Sequence, residues 1–186
     1  MSRMVNPEEL IDKYYSGQPG LERILLLHSQ AVARKALDIA IVHPEWQIDC
    51  AFLREAAMLH DIGIIFTDAP GIACHGTEPY ICHGILGAEL LRGEGLPRHA
   101  RVAERHTGTG LTRQTIEAQH LPLPDRDFTP ETLEEKLICY ADKFFSKTRL
   151  NEEKTPEQVE RSLARFGQES VEVFRQWNRI FEDKVL

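Results

Sequence analysis

A histidine and an aspartate stand side by side at the end of an apolar helical segment, where His60-Asp61 is followed by Ile62-Gly63. The preceding residues 56–59 are apolar, and the glycine favours an end to the helix at this point. Adjacent imidazole and carboxylate groups are able to bind one metal ion from a single turn of backbone, and the carboxylate is able to bridge to a second ion. Because such a pair is common by chance, its meaning depends on other residues of the same chemistry.

The spacing of apolar residues predicts helices along the chain and no convincing strand. Asn6 before a proline predicts the start of the first helix, and a capping box at Thr155 predicts the start of the last. The pattern therefore predicts an all-α fold of about seven helices, at residues 6–15, 21–42, 49–60, 83–91, 97–106, 131–147 and 155–182. The segments 67–79 and 118–130, rich in proline or glycine, are predicted to be irregular loops.

The composition is that of an ordinary globular protein, with 186 residues, a net charge of −7 and 42% hydrophobic residues. This size predicts a single domain over residues 1–186. The negative charge argues against duplex nucleic acid as a partner. We expect a cytoplasmic protein with no membrane contact, because there is neither a signal peptide nor an apolar run of roughly 20 residues. The four cysteines lack C-x-x-C spacing, which favours reduced thiols.

Histidines and aspartates recur on the apolar faces or at the ends of the predicted helices. Asp142 lies on an apolar face, where a carboxylate is costly unless it is paired or bound to a metal. For this residue alone, a salt bridge to Lys35 or Arg34 is the alternative, and for His28 alone it is a hydrogen bond to a carbonyl. Taken together, four histidines and two aspartates on five helices indicate a metal site. The six residues are His28, His60, Asp61, His83, His106 and Asp142.

Six ligands of this kind exceed one tetrahedral site and suit two metal ions with positions open for water or substrate. Imidazole and carboxylate groups suit Fe, Mn, Co, Ni and Zn. Two ions about 3.5–4 Å apart are able to bind both the attacking and the leaving oxygen of a phosphoryl displacement. The residues therefore predict two divalent transition metals and a small phosphorylated substrate.

The ordered ligands, with Ile62-Gly63 completing an H-D-I-G motif, resemble the HD-domain superfamily of metal-dependent phosphohydrolases. The resemblance covers roughly residues 21–150, and the last helix, about 155–182, follows it. The segments that begin at His83 and His106 resemble the additional histidine motifs of the branches that bind two metals.

Those branches include the HD-type diadenosine tetraphosphate hydrolases, whose closing motif resembles Tyr140-Ala141-Asp142, and the HD-GYP cyclic-dinucleotide phosphodiesterases. The Gly-Tyr-Pro motif of the latter is missing from this chain, and residues 121–130 look like an insertion relative to the former. The whole pattern looks most like a little-characterised H-D-I-G branch of small prokaryotic proteins.

The resemblance implies an all-α HD-domain bundle around a buried metal site. It implies hydrolysis of a phosphoester or phosphoanhydride bond of a nucleotide or dinucleotide by a metal-activated hydroxide, with His60 and Asp61 as catalytic residues. In that arrangement one metal is held by His28, His60 and Asp142, the other by His83 and His106, and Asp61 bridges the two.

Further side chains near these motifs are candidates for contact with the substrate. Lys143, beside Asp142, is a candidate for phosphate binding and for a catalytic role. The other candidates are Lys147, Arg149 and His75, the last in a loop that follows the metal motif. The remaining histidines, His43, His99 and His120, are expected at the surface because they lie near prolines or helix ends.

Two other functions are compatible with these features. A di-iron HD-fold oxygenase uses the same six ligands, and iron content with a mixed-valent spectrum distinguishes it. A non-catalytic nucleotide-binding or sensor module normally loses ligands that this chain retains. The last helix has an apolar face that includes Val159, Leu163 and Trp177. We expect this face to pack on the protein's own core, with a homo-oligomer as the alternative.

Overall fold

The computed structural model describes residues 5–182, and within them nine α-helices account for most of the chain. The prediction of an all-α fold is confirmed. The helices are α1 (Pro7–Tyr15), α2 (Pro19–Val42), α3 (Cys50–Leu59), α4 (His83–Gly93), α5 (Pro97–Arg105), α6 (Arg113–Ala118), α7 (Leu133–Asp142), α8 (Pro156–Leu163) and α9 (Gln168–Phe181). None of the helices in this part of the chain has the length and apolar character needed to cross a membrane.

A small sheet lies in the segment 67–79, for which the prediction of an irregular loop without strands was wrong. Its middle strand is β1 (Thr67–Ala69), between β2 (Cys74–His75) and β3 (Glu78–Pro79). β1 pairs antiparallel with β2 and parallel with β3. Strands of two or three residues are too short to show the alternation by which a strand is recognised in a sequence.

Two predicted helices end earlier than their apolar pattern suggested. The helix predicted over 155–182 is divided into α8 and α9 at Gly167, whose φ of 107° is unfavourable for residues with a side chain. The helix predicted over 131–147 begins at Leu133, with Thr132 as its cap, and ends at Asp142. Residues 143–147 therefore continue as irregular chain from the last ligand.

The main apolar cluster contains buried side chains from every α-helix except α6. α6 instead contributes Ile116 to a smaller cluster with Leu111 and Phe128. The apolar face of the C-terminal helices packs on the main cluster, because Val159, Leu163 and Trp177 are all buried in it. The prediction that this face packs on the protein's own core is therefore confirmed.

Glycines permit two close backbone contacts that position the ligand-bearing elements. A Cβ atom at Gly63 would overlap the carbonyl oxygen of His83 and the backbone nitrogen of Gly87. A Cβ atom at Gly84 would lie 2.7 Å from the carbonyl oxygen of Ala103. α4 therefore packs against the turn after Asp61 and against α5 at distances that larger residues would prevent.

Two of the histidines expected at the surface are buried, and for these the prediction was wrong. His43 stacks on Trp46 with ring centroids 3.9 Å apart, and its Nδ1 lies 2.9 Å from a carboxylate oxygen of Glu45. His99 is buried with its Nε2 3.1 Å from a carboxylate oxygen of Glu55. His43 precedes Pro44 and His99 lies two residues after Pro97, but neighbouring side chains cover both rings. His120 is exposed, as expected.

Candidate metal centre

Five helices bring the six predicted ligands together in the interior. His28 comes from the middle of α2, the His60-Asp61 pair follows α3, and Asp142 is the last residue of α7. His83 begins α4 and His106 follows α5. All six residues are at most 8% exposed, although each has a polar or charged side chain. Burial of so many such groups at one place requires that they satisfy one another or a bound ion.

The six ligands form two groups that share one carboxylate. Within each group, one ligand atom from every residue lies within 4.8 Å of the others. The first group contains His28, His60, Asp61 and Asp142, and the second contains Asp61, His83 and His106. The two groups divide the residues as the family resemblance implied, and Asp61 is the residue that belongs to both.

Backbone carbonyls fix the orientation of three imidazole rings. The Nδ1 atoms of His60, His83 and His106 lie 2.6, 2.7 and 2.7 Å from the carbonyl oxygens of Ala57, Tyr80 and Ala103. Because a carbonyl only accepts, each Nδ1 carries the proton and donates it. In the neutral ring Nε2 is then a free lone pair, which is the tautomer that a metal ligand needs.

The Nε2 atoms surround the carboxylate of Asp61. Those of His28 and His60 each lie 3.1 Å from Oδ2, and those of His83 and His106 lie 3.3 and 3.2 Å from Oδ1. Neither oxygen of Asp61 makes a hydrogen bond of acceptable geometry within the described chain. Four imidazole nitrogens thus surround the carboxylate without forming such a hydrogen bond with it.

Burial and charge determine how these groups titrate. Burial lowers the pKa of His83 to about 3 and also lowers the pKa of His106, so both rings are neutral near pH 7. Burial alone would lower the pKa of His60, but Asp61 and Asp142 outweigh it and raise the value to about 10. Burial would likewise raise the pKa of Asp61, but Lys147 and His60 outweigh it and hold that carboxyl well below its usual range.

The donor set fits metal ions. The Nε2 atoms of His83 and His106 lie 3.0 Å apart, although each carries a lone pair and no proton in the neutral ring. Two nitrogens bound to one ion at metal–nitrogen distances of about 2.0–2.1 Å lie at about this separation. Asp61, which both groups share, provides the anionic oxygens that two cations require, so the buried groups are compatible with a binuclear site.

Comparison with known proteins agrees with this geometry. A sequence model of the HD domain matches residues 25–146. The chain belongs to the HD-domain family. This assignment rests on the matched segment, which contains all six ligands.

Three curated proteins are similar in sequence to this HD-domain protein. An uncharacterised protein of Methanocaldococcus jannaschii is 39% identical over 125 residues, which are 66% of this chain and 66% of that protein. Two proteins named tRNA (cytidine(56)-2'-O)-methyltransferase are also similar. The one from Picrophilus torridus is 36% identical and the one from Thermoplasma volcanium is 33% identical, over 68% and 74% of this chain. The matches span only 33% and 35% of the methyltransferases themselves.

A solved structure has the same fold as this HD domain. It is the HD domain of the Listeria monocytogenes phosphodiesterase PgpH, in complex with cyclic-di-AMP. The two structures align with a TM-score of 0.53, covering 96% of this chain and 99% of the other, at 18% sequence identity. At that identity the likeness concerns the fold.

A cavity of about 770 Å³ opens beside the HD-domain ligands. His83, His106 and Asp142 line it together with Lys143 and Lys147. Lys143 donates hydrogen bonds to Oδ2 of Asp142 at 2.7 Å and to the carbonyl oxygen of His106 at 2.8 Å. Asp142 therefore pairs with Lys143, whereas the alternative partner Lys35 pairs with Glu153 and Glu182.

Lys147 reaches further into the site than Lys143. Its Nζ lies 2.6 Å from Oδ2 of Asp61, and its side chain is 12% exposed. Burial alone would lower the pKa of Lys147, but Asp61 outweighs it and raises the value, so the amine is charged. The other two predicted substrate residues lie elsewhere: Arg149 is exposed and pairs with Glu152, and His75 is exposed on β2. Neither side chain lines the cavity.

Two tyrosines at the site were not anticipated from the sequence. Tyr15 is fully buried, and its hydroxyl donates to the carbonyl oxygen of Ile62 at 2.7 Å and accepts from the backbone N–H of Ile65 at 3.2 Å. It thereby holds the turn that carries Asp61. Tyr80 stacks on His83 with ring centroids 4.7 Å apart. The first residue is remote in sequence from the ligands, and nothing in its local pattern indicates the contact.

Proposed function

We propose that this HD-domain protein is a metal-dependent phosphohydrolase that cleaves a phosphoester or phosphoanhydride bond of a nucleotide or dinucleotide. The observation that carries the proposal is the sharing of Asp61 between two groups of ligands at the wall of a cavity large enough for such a substrate. Family membership supports the reaction class. The ligand of the PgpH structure, a cyclic dinucleotide, supports a nucleotide substrate.

The residues that would hold the metals are those of the two groups. His28, His60 and Asp142 would hold one ion, His83 and His106 the other, and Asp61 both. Divalent ions supply Lewis acidity toward a phosphoryl oxygen and lower the pKa of water. Candidate ions are Fe, Mn, Co, Ni and Zn, because all accept imidazole and carboxylate ligands.

The lysines of the cavity wall would bind and orient the substrate. Lys147, charged and within hydrogen-bond reach of Asp61, is suited to contact an oxygen of the phosphoryl group that reacts. Lys143 is held by Asp142 and by the carbonyl of His106, so we assign it first to the orientation of those two ligands. The low exposure of both lysines keeps bulk water from screening their charges.

Chromatographic detection of the hydrolysis products of a panel of nucleotides and dinucleotides, with each candidate metal, tests the proposal. We expect turnover with at least one metal and its loss in Asp61→Asn, which preserves the shape of the side chain but removes the charge. Asp68→Asn, on the exposed part of the neighbouring strand, is the matched control. Two irons per chain with a mixed-valent spectrum and no hydrolysis of any member of the panel would favour the di-iron oxygenase. Nucleotide binding without hydrolysis would favour a sensor.

A further inference from the structure

The cavity extends beyond the metal ligands to a second group of cationic side chains. Lys154, which precedes α8, and Arg165, which follows it, both line the cavity. Neither side chain makes an ion pair or a side-chain hydrogen bond within residues 5–182, whereas Lys143 and Lys147 are paired with the aspartates of the site. Two unpaired cations thus lie on the wall of the cavity that contains the candidate metal centre.

Backbone contacts fix Lys154 in this position. Its N–H donates to the carbonyl oxygen of Phe144 at 2.8 Å, and Glu153 pairs with Phe145 in an antiparallel bridge. The segment that carries Lys154 is therefore attached to the segment that follows Asp142. Arg165 is held differently, since its guanidinium lies 4.7 Å from the ring centre of Phe166, which also lines the cavity.

The local charge is opposite to that of the whole chain, whose net charge is −7. Burial lowers the pKa of Lys154, and the nearby charges of Lys143 and Arg165 lower it further, against the opposing effect of Asp142. A half-buried amine beside other cations is unfavourable unless an anion joins them. The apolar residues Ile81 and Phe145 line the same cavity and offer surface for the base of a nucleotide.

We propose that Lys154 and Arg165 form a second anion subsite, which binds a phosphate group of the substrate other than the one that is cleaved. The inference rests on the proposed function and narrows it: the substrate is a nucleotide with two or more phosphate groups. One phosphate lies at the ligands and Lys147, and another lies at Lys154 and Arg165. A nucleoside monophosphate leaves the subsite empty.

Calorimetric titration with ATP and with AMP tests the subsite in the 186-residue protein, with EDTA present so that no turnover occurs. We expect wild type to bind ATP more tightly than AMP. Lys154→Gln and Arg165→Gln should each weaken ATP binding about tenfold, the usual effect of removing a charge-assisted hydrogen bond, and leave AMP binding unchanged. Arg161→Gln is the matched control, because Arg161 lies on α8 and donates to the carbonyl oxygen of Glu157 outside the cavity.

Phosphate release measured on the same variants with metal restored separates the two proposals. Selective loss of ATP affinity, with no hydrolysis of any nucleotide or dinucleotide of the panel by wild type, supports the subsite and contradicts the hydrolase. Turnover of ATP with a KM that is the same in wild type, Lys154→Gln and Arg161→Gln contradicts the subsite alone. Absence of ATP binding by wild type, or equal losses for ATP and AMP, also overturns it.

Discussion

The Nε2 atoms of His83 and His106 lie 3.0 Å apart, although each ring carries its proton on Nδ1, which donates to a backbone carbonyl. Two lone pairs at this distance repel unless a cation lies between them. Because burial lowers the pKa of both rings, a proton is a poor candidate for that cation near pH 7. The pair is therefore suited to hold a metal ion, and Asp61, which belongs to the same group as well as to the other one, would provide an oxygen to that ion.

Lys147 distinguishes substrate binding from metal binding. Lys147→Met removes the charge that lies beside Asp61, and we expect kcat to fall about 100-fold, as when one preorganised donor is removed from an active site. Metal content should stay unchanged, because Lys147 is not a ligand. Arg149→Met, an exposed cation of the same segment, is the control and should retain activity. Equal activity of the two variants would contradict the assigned role.

Tyr15 links the first helix to the ligand-bearing turn. Tyr15→Phe leaves the carbonyl of Ile62 and the N–H of Ile65 without their partner. We expect the free energy of unfolding to fall by about 1–3 kcal/mol, the usual cost of an unsatisfied buried polar group. Chemical denaturation measures it, with Tyr14→Phe as the control, since that hydroxyl bonds the side chain of Glu94 near the surface. A loss no larger than the control's would count against this link.

The ligands were predictable from sequence because their chemistry is conspicuous on otherwise apolar helix faces. Lys147 was harder to rank, because its position depends on α7 ending at Asp142, which its apolar pattern does not reveal. The burial of His99 depends on Glu55, 44 residues earlier, and so could not be read from local sequence. The contacts of Tyr15 and the pairing of β1 with β3 are likewise tertiary, and periodicity reports only local structure.

Gly63 is required by the approach of α4 to the turn after Asp61. In Gly63→Ala the new Cβ meets backbone atoms of His83 and Gly87, which are unable to yield as a flexible side chain does. We expect a loss of about 3 kcal/mol in the free energy of unfolding. Gly20→Ala is the control, because a Cβ there meets open space in the first turn of α2 and should be neutral or slightly stabilising. Comparable losses in both variants would show that the packing argument is wrong.

Protonation of His83 predicts how the metal-free protein responds to acid. Its pKa is about 3 in the folded state, against about 6.5 when unfolded, so only the unfolded state takes up the proton between these values. The free energy of unfolding therefore decreases as the pH is lowered below about 6.5. His83 accounts for a decrease of about 2 kcal/mol between pH 7 and pH 5. Below about pH 6 His60 does not offset the loss, since the stability that its raised pKa adds is nearly complete there.

Urea titrations of metal-free wild type and His83→Gln at the two pH values measure this contribution. His83→Gln should lose less stability on acidification than wild type, because glutamine has no proton to take up. His120→Gln, at an exposed position, is the control and should behave as wild type does. An equal pH dependence in all three proteins would contradict the assignment of a neutral, buried His83.

The central claim, two metal ions bridged by Asp61, is tested most directly by the metal content of the protein after reconstitution with Mn, Fe, Co, Ni or Zn. We expect two ions per chain in wild type and one in His83→Gln and in His106→Gln, since the group of His28, His60, Asp61 and Asp142 stays intact. His99→Gln, a buried histidine paired with Glu55, should keep two. The absence of bound metal in wild type, or the same content in all these variants, would contradict the account.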